Sequence, residues 1–175
     1  DTCVGFSHAK SGEETAKFAY EKGYRHALAI SAGDERALRR KDAFCDTFNK
    51  LTQNQVDEIC LPGQASLELG RSSLAQAIEN GFKSGVVMCS SDLLAHGVII
   101  EAQTRHLKIP QDIAVIGFGN QNFAAFTAPA LTTVKVDRAY LGSQAAKVLM
   151  TRIDQKPLEN KCIDIGFEIV ARDSA

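Results

Sequence analysis

The sequence predicts an α/β fold, a doubly wound parallel sheet with helices on both faces, and three observations carry that expectation. Apolar runs such as "GVVMCS" and "IAVIGF" lack the polar alternation of a one-faced strand, as strands buried on both faces do. Strand-like and helix-like segments alternate from Ser11 to Phe118, the signature of βαβ units. At 175 residues and 45% hydrophobic composition, the chain suits one domain, or one lobe and part of another, with a sizeable core.

Each element has its own local reason. Ser11-Gly12-Glu13-Glu14 has the spacing of a capping box, Ala16, Phe18, Ala19 and Tyr20 supply an apolar side, and Gly23 is a stop. "HALAIS" reads as a short strand. A helix is expected from about Glu35 to Leu51, with Leu38, Phe44 and Phe48 near one face. "VDEICL" is the next strand. Ser66 to Asn80 reads as a helix with Leu67, Gly70, Leu74 and Ile78 inward. After "GVVMCS", Ser91-Asp92 caps a helix reaching His106, and "IAVIGF" follows the turn "KIPQD". Beyond "PALTTVKV" a long helix runs from about Arg138 to Asp154, then a Lys/Asn/Pro loop, then the strand-like "CIDIGFEIV". An apolar face on Ala145, Val148 and Leu149 would favour association if left exposed.

Composition narrows the function classes. A net charge of −1 gives this segment no electrostatic reason to bind nucleic acid by itself. No apolar run approaches the roughly 20 residues that span a bilayer, and no signal-like start is visible. The start at Asp1, without an initiator Met, suggests a piece of something longer. Five widely spaced cysteines with no C-x-x-C argue against a disulfide framework; most are expected in apolar surroundings as core residues, in a reducing cytoplasm.

In a doubly wound sheet, ligands lie outside the carboxyl ends of the strands. Those ends here are Ser31 to Arg36, Leu61 to Ser66, Cys89 to Asp92 and Phe118 to Asn122. "GFGNQN" after a strand lacks the third glycine, the following helix and the later acid of a dinucleotide loop. The four histidines are not in metal-ligand spacings, no G-x-S-x-G exists, and paired carboxylates at strand ends are missing. No catalytic residue, metal or cofactor is therefore expected. "DERALRRKDAF" is more informative, because Arg36 and Arg40 share a helix face beside Arg39 just after a strand end. Their planar forks suit carboxylates, the plain alternative being a solvated basic face. Ser91-Asp92 has simple N-capping as its plain alternative.

Six ordered segments resemble the effector-binding region of lactose-repressor/galactose-repressor type transcription regulators. They are "VGFSHAKSGEETAKFAYEKGYRHALAIS", "RRKDAF", "SSDLLAHGVIIEA", "LKIPQDIAVIGFGN", "PALTTV" with "LGSQAAKVLMTRI", and "FEIVARDS". The resemblance implies a periplasmic-binding-protein-like fold of two lobes with a small effector between them. Residues 1–135 would form the second lobe. Residues 136–166 would be a crossover helix and strand of the first lobe, and 167–175 the return strand and tail. It further implies a homodimer, with Leu94, His96, Phe123, Phe126 and Thr127 on the dimer face. Operator DNA would be bound through an N-terminal helix-turn-helix absent from this chain.

Departures from the family pattern point to the ligand. The family commonly has Asp where Gly119 stands, Asn where Ser91 stands and Asp where Ser7 stands, while Arg138 falls where an apolar or aromatic residue is common. A carboxylate at 119 would repel an anion, so its absence beside Arg40, Arg138 and Arg36 favours an acid ligand. Ser91, Asp92 and Asn120 would serve hydroxyls, and Ser7 and Ala65 complete the expected effector site. The whole chain resembles the gluconate-type repressors most, so gluconate or a near relative such as idonate or phosphogluconate is the expected effector. A periplasmic-type sugar-binding receptor shares the fold, and a nucleotide-using enzyme is a third, weaker alternative.

Overall fold

The computed structural model describes residues 2–155 and 162–175. A six-stranded sheet of order β3-β2-β4-β5-β6-β8 is built from β2 (Ala27–Ala32), β3 (Asp57–Leu61), β4 (Gly85–Cys89), β5 (Ile113–Phe118), β6 (Thr132–Lys135) and β8 (Glu168–Val170). All neighbours pair in parallel except β6 and β8. Strands β2, β4 and β5 are buried nearly end to end, as their unbroken apolar runs require. Strand β3 lies at the edge and is largely exposed.

Two cores flank the sheet. Helices α1 (His8–Glu21) and α2 (Glu35–Thr52) cover one face with Ala16, Ala19, Phe44 and Phe48. Helices α3 (Leu67–Glu79) and α4 (Asp92–Thr104) cover the other with Leu74, Leu94, Val98 and Ile99. The α3–α4 crossing is close because two glycines face each other across it. A Cβ at Gly70 would stand 2.2 Å from the Leu94 carbonyl oxygen, and one at Gly97 would stand 2.2 Å from that of Leu67.

A second, two-stranded sheet pairs β1 (Cys3–Gly5) with β7 (Cys162–Asp164) in parallel, Cys3 opposite Cys162. Helix α5 (Arg138–Ile153) packs on β1. It has no buried residue, and Leu149, Met150 and Ile153 are all more than half exposed. Strand β1 thus sits with α5 and β7, apart from the large sheet that holds β2 to β6. Among the described residues no helix is long and apolar enough to cross a membrane.

Several local expectations change. The first helix starts at His8 rather than after Ser11: the Ser7 hydroxyl accepts from the Lys10 N–H at 3.1 Å, while Ser11 is buried within the helix. The crossing with α2 explains the earlier start, since a Cβ at Gly12 would stand 2.2 Å from the Arg40 carbonyl oxygen. Gly23 does end that helix, at φ +96. Leu67 is exposed and Leu69 packs in its place, because Ser66 is the cap and Leu67 the first residue of α3. "CIDIGFEIV" is two strands separated at Ile165-Gly166-Phe167, with Gly166 at φ +68. Of the cysteines only Cys45 and Cys89 are buried; Cys3, Cys60 and Cys162 lie on exposed strands.

Two glycine substitutions check the packing by urea unfolding. Gly97→Ala should lower the unfolding free energy by about 1–3 kcal/mol, since backbone meets the added methyl. Gly142→Ala, with open space around it inside α5, should be neutral or raise it by up to about 1 kcal/mol.

Candidate functional site

The sheet order reverses between β2 and β4, which leave the central strand pair toward opposite edges. The crevice at that point is where an open α/β sheet receives a ligand. The two strand ends are tied there, with the Ala32 N–H donating to the Ser90 hydroxyl at 3.0 Å. Above them opens a cavity of about 670 Å³ lined by the carboxyl ends of β2 to β5 and by the start of α5. That volume suits a small organic ligand.

Arg40 forms its floor on the α2 side. The side chain is 6% exposed, an unusual state for a cation. Its Nη2 donates to the Ser90 carbonyl at 3.0 Å, and its Nη1 lies 2.9 Å from His8 Nδ1. The guanidinium carbon sits 3.9 Å from the centroid of the Phe118 ring, in cation–π contact. Phe6 stacks on Phe118 at 6.0 Å and meets His8 edge-on at 4.4 Å, so the cluster is held by three rings. Arg40 has no ion pair among the described residues, and its Nε is buried without a hydrogen-bond partner. Its neighbour in sequence differs: Lys41, also buried, meets the carboxylates of Asp42 and Glu58. Burial pushes the Arg40 guanidinium down to about 10, opposed by Asp34 and aided by Arg36; it remains charged at neutral pH. His8 is held below the usual histidine range by burial first and by Arg40 next.

The expected residues fall into three groups. Arg36, Arg40, Ala65, Ser91, Gly119 and Arg138 do line the cavity. Arg36 is exposed 3.8 Å from Asp34, while Arg39 turns to solvent and pairs with Glu35. Arg138 reaches over the opening and donates to the Gly119 carbonyl at 2.8 Å. Ser91 also serves as the cap of α4, accepting from the Leu94 N–H at 3.3 Å.

Asp92, Asn120 and Ser7 are absent from the lining and engaged elsewhere. Asp92 is fully buried, accepting from the Thr133 hydroxyl and, at 2.6 Å, from the Gln121 N–H. Burial raises its carboxyl above the usual range, against those two hydrogen bonds. It fastens the start of α4 to the loop after β5. Asn120 Oδ1 accepts from Arg172 Nη2 at 2.8 Å, and Arg172 Nη1 also donates to the Leu131 carbonyl. Ser7 is spent as the α1 cap.

Leu94, expected on a dimer face, is 0% exposed and belongs to the core between α4 and the sheet. The close glycine crossing with α3 draws it inward. The rest of that set lies at the surface: His96 stacks on Phe123 at 5.3 Å, Thr127 is half-buried, and Phe126 is 86% exposed.

Phe6, His8, Gln64, Ser90, Phe118 and Gln121 line the cavity without having been expected there. The apolar ring at Phe118 and the proximity of Gln121 were readable from the β5 end. His8 was not, because only the packing of α1 on α2 brings it to Arg40.

A model of the periplasmic binding protein-like domain matches residues 16–175. The chain belongs to that family. It is 34% identical to the HTH-type transcriptional regulator GntR of Pseudomonas aeruginosa over 98% of this chain and 51% of the relative. Identity to the HTH-type transcriptional repressor PurR of Salmonella newport is 29%, over 99% of this chain and 51% of that protein. The crystal structure of transcription regulator GntR from Chromobacterium violaceum superposes with a TM-score of 0.94 at 28% identity, over 99% of this chain and 65% of that one. The chain therefore spans about half the length of the curated relatives it matches. The lactose-repressor/galactose-repressor resemblance and the α/β expectation both agree with these findings. Among the described residues there is no cluster of three or more His, Cys, Asp or Glu that could hold a metal ion.

Gly119 has a backbone reason as well as a charge reason to be glycine. Its φ is +124, and an added Cβ would stand 3.7 Å from Asp92 Oδ2. Gly119→Asp is expected to cost about 1–3 kcal/mol in urea unfolding through backbone strain. Gly119→Ala shares that strain, so any further loss in the Asp variant measures repulsion from Asp92.

Proposed function

We propose that this chain is the effector-binding and dimerisation part of a DNA-binding transcription regulator, acting as a repressor and sensing a small sugar acid, gluconate in the first instance. The observation that carries the acid is Arg40: a buried cation that lines the cavity, with no carboxylate partner among the described residues and an unpartnered Nε. A buried charge left unpaired is costly, and a bound carboxylate offsets that cost. The rim adds Arg36 and Arg138 against a single carboxylate, Asp34. Ser90, Ser91, Gln64 and Gln121 offer hydrogen bonds to hydroxyl groups, while Ala65 and Gly119 leave room.

In this reading β1, α5 and β7 belong to the second half of a two-lobed domain, and the cavity between them and the large sheet is the effector cleft. His96, Phe123, Phe126 and Thr127 would meet a second copy of the chain, with Phe126 the exposed anchor. DNA contact would belong to a helix-turn-helix outside residues 1–175, and the working compartment is the cytoplasm, as for the regulators it resembles. No cofactor or metal is needed for binding of this kind.

Calorimetric titration of the full-length protein tests the ligand. Gluconate is expected to bind, more weakly as salt is raised, and galactose to give no heat. Galactose binding with gluconate silent would overturn the acid reading while leaving the regulator reading in place.

A further inference from the structure

The geometry points to His8 as a specificity-determining residue of the cavity: a neutral imidazole whose proton is parked on Nε2 by Arg40, so that it donates a hydrogen bond to an oxygen of the effector. This rests on the effector reading above and deepens it. A guanidinium has donors only. With Arg40 Nη1 at 2.9 Å, His8 Nδ1 must therefore be the acceptor and carry no proton. The neutral ring then holds its one proton on Nε2.

The surroundings keep it so. Arg40, Arg36 and Arg39 of α2 face the ring with positive charge, and Asp34 at the start of α2 opposes them. From β1 and β5 the ring meets only Phe6 and Phe118. His8 lines the cavity, and its Nε2 has no hydrogen bond among the described residues. A donor left open on a cavity wall beside a buried cation selects an acceptor: a carboxylate oxygen or a hydroxyl lone pair. It gives nothing to a ligand group that can only donate.

Two substitutions separate this role from mere support of Arg40. In His8→Asn the amide oxygen takes the place of Nδ1, so Arg40 keeps its acceptor while the outer donor is lost. In His8→Gln the amide nitrogen reaches the place of Nε2, so the donor is kept and the acceptor lost. Titrated with gluconate in the full-length protein, His8→Asn should bind about tenfold more weakly or worse, and His8→Gln more tightly than His8→Asn. Nitrogen-15 spectra of the wild-type imidazole should show the proton on Nε2, with that signal shifting when gluconate is added.

A proton on Nδ1, or an Asn variant that binds like wild type while the Gln variant fails, would overturn the assignment. Wild-type protein that ignores gluconate would instead overturn the sugar-acid reading and this ligand contact with it. Normal wild-type binding with an unaffected Asn variant would overturn this inference alone.

Discussion

The Arg40 guanidinium is removed from water at the point where the sheet order reverses, and the surrounding side chains are disposed to tolerate it. The Phe118 face, the Ser90 carbonyl and His8 Nδ1 each take part of the charge. None of them is an anion. Lys41, one residue on, is buried beside two carboxylates, so the same helix shows both a neutralised cation and one left open to the cavity. That difference is what links the fold to a ligand: the structure supplies the positive half of an ion pair and leaves the other half to a molecule in the cleft.

The fold places Arg40 there through three packing constraints. The α1–α2 crossing, tight enough to require Gly12, brings His8 across to the second turn of α2. The β2–β4 pairing puts Ser90 beside Ala32 and beneath the guanidinium. Asp92, buried and held by Thr133 and Gln121, fixes the loop after β5 so that Phe118 and Gly119 close the floor. Arg172 and Ser174 extend this support from the chain's last residues: Ser174 bridges Val115 and Thr132, and Arg172 anchors Asn120. The "ARDS" tail thus works as a brace on the loop, although it lies more than 50 residues along the chain from it.

The helices and strands were legible because their signals are local. Unbroken apolar runs mark β2, β4 and β5, and Asp34, Ser66 and Ser91 each cap the helix the sequence assigns them. Where the reading slipped, a tertiary contact had overridden a local signal. Ser11 has the capping-box spacing, yet α1 begins a turn earlier because Gly12 must sit inside the crossing. The site was half legible: strand-end position and arginine spacing found Arg36, Arg40 and Arg138. Asp92 and Asn120 were assigned to the ligand because a polar side chain at a strand end reads the same whether it faces a cavity or a neighbouring loop. His8 carries no sequence signal at all, since its partner lies 32 residues away on another helix.

The central claim is that Arg40 is held at a cost to the empty protein and repaid by an acid. Thermal unfolding of the full-length protein and its Arg40→Met variant, with and without gluconate, addresses it most directly. The account predicts that the variant without ligand melts no lower than wild type, that gluconate raises the wild-type midpoint, and that it leaves the variant unmoved. A variant that melts far below wild type without ligand, or one that gluconate stabilises equally, would contradict it.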